Sequence, residues 1–70
     1  MSDHVYKTIE ITGTSSESID QAVATAIARA SSTVENMRWF QVTEIRGDIS
    51  DGEVAHWQVT VKIGFTLRDE

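Results

Sequence analysis

Hydrophobic and polar residues alternate along the first part of the chain. Val5, Ile9 and Ile11 share one side with Lys7, while Tyr6, Thr8, Glu10 and Thr12 share the other. Period-two alternation of β-branched residues is the pattern of a strand with one buried face, here Val5 to Thr12. Gly13 is expected to end it. The spacing then changes. Ile19, Ala22, Val23, Ala26, Ile27 and Ala30 recur at steps of three and four, one apolar stripe of a helix running to about Thr33. Most of that stripe is alanine, so the helix can lie close against a sheet. Its start is signalled by Thr14-Ser15-Ser16-Glu17. Two caps remain open: Thr14 with Glu17 as a capping box, or Ser15 alone. Glu17 and Asp20 also suit the positive end of the helix dipole.

Val34 to Met37 reads as a connection, followed by a second strand from Arg38 to Arg46. Phe40 and Val42 point one way; Trp39, Gln41, Thr43 and Ile45 point the other. Glu44 and Arg46 nominally share the side of Phe40 and Val42, but Ile45 interrupts the pattern, so a bulge or strand end is expected nearby. Gly47-Asp48-Ile49-Ser50-Asp51-Gly52 has the polarity and length of a hairpin turn. A third strand, Glu53 to Leu67, alternates strictly. Ala55, Trp57, Val59, Val61, Ile63, Phe65 and Leu67 occupy one face; Val54, His56, Gln58, Thr60, Lys62 and Thr66 occupy the other. Gly64, inside this strand, predicts a bulge or a close approach of another backbone.

The order β-α-β-β predicts a single α+β domain over residues 1–70. Its helix should pack on a three-stranded antiparallel sheet of order 1-3-2, in two layers. The far side of that sheet is then left open. It is expected to present Trp39 and Ile45 beside Gln41, Thr43, Gln58 and Thr60, with no second helix to cover them. An uncovered face of mixed polarity points to other subunits or a ligand, and open sheet edges would be closed by oligomerisation.

Composition sharpens this picture. A chain of 70 residues buries too little surface for much net stability of its own. With no cysteine, disulfides and thiolate metal sites are excluded. His4 and His56 are the two imidazoles, and neither has metal-site spacing. Self-association is the expected source of extra stability. Six basic against eleven acidic residues give a net charge of −5, a field that disfavours nucleic acid and anionic membranes as partners. The first residues hold no apolar targeting segment and no stretch is long enough to cross a bilayer, so a cytoplasmic protein is expected. No general acid–base pair or nucleotide-binding glycine loop is present, which disfavours an enzyme.

Three runs taken together resemble the dodecin family: Gly13-Thr14-Ser15 before the alanine-rich helix, Arg38-Trp39-Phe40-Gln41-Val42-Thr43-Glu44-Ile45-Arg46-Gly47, and Ala55-His56-Trp57-Gln58-Val59-Thr60-Val61-Lys62-Ile63-Gly64-Phe65. The similarity spans nearly the whole chain, and its specificity lies in the combination. The resemblance implies a hollow homododecamer that holds stacked flavin pairs between tryptophans of symmetry-related chains. Trp39 matches the stacking tryptophan, and Gln58 the glutamine that hydrogen-bonds the isoalloxazine edge. Arg46 stands where bacterial members place an arginine near the ribityl or phosphate end. Glu44 aligns with an acidic position near the site in archaeal members. The Ile-Arg-Gly run resembles the bacterial pattern, which implies flavin mononucleotide (FMN) ahead of riboflavin. Some members bind coenzyme A, so a structural shell or a carrier of that ligand is the alternative. Read from residues alone, Trp39 equally fills a subunit interface, Gln58 is an ordinary strand residue, and Arg46 equally forms a surface salt bridge.

Overall fold

The computed structural model describes residues 3–67. Strand β1 (Tyr6–Ser15), helix α1 (Ile19–Ala30), strand β2 (Met37–Ser50) and strand β3 (Glu53–Thr66) follow one another. The sheet is antiparallel in the order β1-β3-β2, as the alternation predicts.

Helix α1 packs chiefly on β1 and β3. Its Ala22 joins Val59, Val61 and Ile63 of β3 in a fully buried cluster, flanked by Ile9, Ile11, Ile19, Val23 and Ile27. These are the helix stripe and the apolar faces of the first and third strands. Burying such aliphatic side chains contributes about 1.5–3 kcal/mol each. Strand β2 lies beyond the helix. Its Phe40, Val42 and Ile45 pair with the buried Ile63, Val61 and Val59, yet Phe40 and Ile45 stay 50% and 52% exposed. The helix layer therefore covers two of the three strands, leaving a molecule of 55 × 20 × 14 Å.

Several element boundaries differ from expectation, each for a local reason. Gly13 does not end β1, which continues through it to Ser15. It is buried opposite Val59, where a Cβ would collide with the Ala22 carbonyl. This glycine gives the helix room to approach. Neither of the two expected caps is used as such. Ser18 is the N-cap, its Oγ accepting from the Gln21 N–H at 3.0 Å. Ser15 instead organises the preceding turn, its Oγ accepting from the N–H groups of Glu17 (2.9 Å) and Ser18 (3.3 Å). At the other end α1 stops at Ala30, short of Thr33. The hydroxyls of Ser31 and Ser32 donate back to the carbonyls of Ala28 and Arg29, a local alternative to further helix.

The expected six-residue turn shrinks to Asp51-Gly52. Both have positive φ, 54° and 78°, and Ser50 pairs with Glu53. This is the two-residue type I′ geometry whose twist matches the flanking strands. Pairing therefore runs on through Gly47, Asp48 and Ile49, and β2 extends to Ser50 where the sequence pattern predicts an end at Arg46.

Replacing the cap tests the revised helix start. Ser18→Ala should cost about 1 kcal/mol, lowering Tm by roughly 4–8 °C in a domain of this size. Thr14→Ala should leave Tm within about 2 °C, since no side-chain cap depends on it. Thermal melts followed by circular dichroism at one protein concentration check both.

Candidate functional site

The far side of the sheet is ordered by a bulge. Ahead of it, Trp39 pairs with Gly64, Gln41 with Lys62 and Val42 with Val61; after it, Glu44 pairs with Thr60, Ile45 with Val59 and Arg46 with Gln58. Thr43 is the extra residue between them, and its Oγ1 donates to the Thr60 carbonyl at 3.2 Å. One added residue reverses strand parity. Glu44 and Arg46 therefore lie on the side of Trp39 and Gln58, not with Phe40 and Val42 as nominal alternation places them. Ile45 moves the opposite way, to the helix side with Val59. The expected far face is corrected accordingly: Ile45 leaves it, and a carboxylate and a guanidinium enter.

Cross-strand register arranges this face in rows. Thr8, Gly64 and Trp39 form one; Glu10, Lys62 and Gln41 the next; Thr12, Thr60 and Glu44 a third; Thr14, Gln58 and Arg46 a fourth. Thr12 and Thr60 share a hydroxyl–hydroxyl hydrogen bond of 2.8 Å. Beyond the fourth row, Asp48 pairs with His56, their side chains 3.6 Å apart and both 54% exposed. A polar contact so open to water contributes little.

All four residues singled out from the sequence thus share one surface. Trp39 is 38% exposed, Gln58 is half-buried, and Arg46 and Glu44 are exposed. Arg46 and Gln58 are direct neighbours across the strands. Trp39 is not beside them. Gln58 lies six positions before Gly64 in β3, which separates the amide from the indole row by about 20 Å at ~3.3 Å per residue. That exceeds the reach of a three-ring aromatic ligand. The residue that sequence reading missed is Tyr6, whose ring meets the indole edge-on, with centroids 5.9 Å apart and planes at 67°. Alternation assigns Tyr6 to the far face, but nothing in the sequence sets its register opposite Thr66.

Among the described residues, no three His, Cys, Asp or Glu side chains converge as a metal site. No described helix is long and apolar enough to cross a membrane.

These features define a class: a small α+β domain of one helix and three strands whose open sheet face gathers an aromatic ring, an amide, a guanidinium and a carboxylate. Comparison with known proteins makes the class specific. The dodecin family model matches residues 5–68. The structure of dodecin from Streptomyces coelicolor superposes with a TM-score of 0.92 at 51% identity, covering 100% of both chains. Dodecin of Thermus thermophilus is 43% identical over 65 residues, 93% of this chain and 94% of that one. Calcium dodecin of Mycobacterium tuberculosis is 33% identical over 64 residues, 91% of this chain and 90% of its own. The chain belongs to the dodecin family.

Proposed function

We propose that this chain is a non-catalytic flavin-binding protein, assembled as a homododecamer, that stores and buffers FMN in a photochemically quiet state. The observation that carries the reading is the parity switch at Thr43, which turns Arg46 and Glu44 onto the face of Trp39 and Gln58. The residues fit the group. Indole is a broad, electron-rich surface for a flat, electron-poor isoalloxazine, and offset aromatic pairs add roughly 0.5–1.5 kcal/mol beyond area burial. The Gln58 amide offers one donor set and one acceptor, matching the alternating groups of the flavin pyrimidine edge. Beside it, Arg46 can take a phosphate bidentately, and Glu44 lies one row further along the same face.

The spacing supports a site shared between subunits. An isoalloxazine on Trp39 of one copy meets the Gln58 amide of another, because the two are too far apart within one chain. A symmetry-related pair of such sites would hold two flavins between two indoles. Bound isoalloxazine supplies the chromophore, and an indole in van der Waals contact quenches its excited state. Covering the ring on both faces also keeps other reactants away, which suits storage and disfavours turnover.

Titration of purified protein with FMN tests this directly. Flavin emission should fall by most of its intensity at saturation, and the flavin should co-migrate with a particle of many subunits. Brightly fluorescent bound flavin would contradict stacking on indole. Protein that stays colourless in excess FMN would instead favour a structural shell or a coenzyme A carrier.

A further inference from the structure

We infer that Gly64 is a positioning residue for Trp39: the indole rests on the bare backbone at Gly64, and any side chain there displaces it from its ligand-presenting position. The inference deepens the flavin reading, on which its ligand-binding arm rests. Gly64 is buried near the end of β3, the strand between β1 and β2. Its φ is not in the positive region, which among the described glycines is entered by Gly52 alone. Backbone conformation therefore does not demand glycine here. Space does. A Cβ at this position would fall onto the Cε2 and Cζ2 atoms of the Trp39 indole and 2.7 Å from its Nε1. Ring atoms occupy the volume that every other amino acid would fill.

The surroundings show why the ring lies there. Trp39 stands on β2 opposite Gly64 of β3, and Tyr6 stands on β1 opposite Thr66. The indole crosses the central strand at its one residue without a side chain and meets the Tyr6 ring edge-on at 5.9 Å. The register also shifts between Met37 and Trp39, one of three irregularities in β2, at the row that carries the ring. Backbone beneath and tyrosine at the edge together hold a large side chain that remains 38% exposed. An exposed tryptophan without such support would sample several rotamers, and ordering them on binding would cost affinity. A pre-placed ring avoids that loss.

Gly64→Ala leaves the ring two outcomes, rotation away from the strand or strain, because the indole is rigid beyond its two side-chain torsions. In a Trp57→Phe background, where Trp39 is the sole indole, Gly64→Ala should shift the emission maximum to longer wavelength and raise acrylamide quenching. FMN affinity should fall about tenfold or more. A thermodynamic cycle separates this inference from the flavin reading, since it needs no ligand. Gly64→Ala should lower Tm by at least about 5 °C when Trp39 is present. In a Trp39→Ala background the same change should leave Tm unchanged or raise it, since alanine suits a strand better than glycine. Equal effects of Gly64→Ala in both backgrounds, with Trp39 emission unmoved, would overturn the seat. If Gly64→Ala does not fold, the double variant Gly64→Ala with Trp39→Ala supplies the second readout. It should fold, and a double variant that also fails to fold would overturn the seat.

Discussion

Trp39→Ala should weaken FMN binding by about a hundredfold while leaving the assembled particle intact. The estimate joins two terms. Roughly 100 Å² of apolar ring surface taken from water contributes about 2.5 kcal/mol at ~25 cal/mol/Å², and the aromatic pairing adds roughly 0.5–1.5 kcal/mol. The sum, lowered somewhat by residual contacts, is about 3 kcal/mol, or two decades of affinity. On the flavin reading proposed above, residual binding should also lose most of its quenching once the indole is removed. The change should not unfold the subunit, since the buried cluster of Ala22, Val59, Val61 and Ile63 lies on the other side of the sheet. Fluorescence titration with FMN, run beside size-exclusion chromatography with light scattering, gives both quantities. Unchanged affinity in an intact particle would remove Trp39 from the ligand site.

Gly13→Ala should be strongly destabilising for the addition of a single methyl. The new Cβ would collide with the carbonyl of Ala22 and lie 2.8 Å from the Ala26 Cβ. Both alanines are buried, so the helix must lift away from β1 and β3 to make room. Overpacking of this kind costs typically 1–3 kcal/mol, more when backbone must move. Alanine's better strand propensity offsets only roughly 0.5–1 kcal/mol. Against a total of roughly 4–10 kcal/mol for a domain of this length, a net loss near 2 kcal/mol is large. Tm should fall by about 10 °C or more at fixed protein concentration. A melt indistinguishable from the parent's would show that the helix is not seated on Gly13. The contrast with Gly64 is instructive: there the obstacle is a side chain that can be removed, here it is backbone that cannot.

The element types and their order were legible because each carries its own period. Val5 to Thr12 and Glu53 to Leu67 alternate, and Ile19 to Ala30 recurs at helical steps. Burial of Val59, Val61 and Ile63 against Ala22 follows from those periods. Boundaries were less legible, because they turn on competition among nearby polar groups. Three serines precede the helix, and which hydroxyl faces the free N–H groups depends on the path of the chain, which selects Ser18. The hairpin turn is shorter than its polarity suggests: Gly47, Asp48 and Ser50 are polar or turn-prone, yet the Asp51-Gly52 geometry allows pairing to run through them.

For the candidate site, the sequence supplied residues and the fold supplied their arrangement. Trp39, Glu44, Arg46 and Gln58 are singled out by the family resemblance, and the interruption at Ile45 signals an irregular strand. Which residue is extra, and hence which way Arg46 points, is decided by pairing with β3. That is a contact between distant parts of the chain. Composition and periodicity therefore determined a helix on a three-stranded sheet with one face uncovered, because hydrophobic period is a local property. Only the tertiary structure decided that Thr43 reverses the strand's parity, that Tyr6 meets the indole edge-on, and that a Cβ at Gly13 or Gly64 has no space. Those depend on register and close approach, which no local pattern encodes.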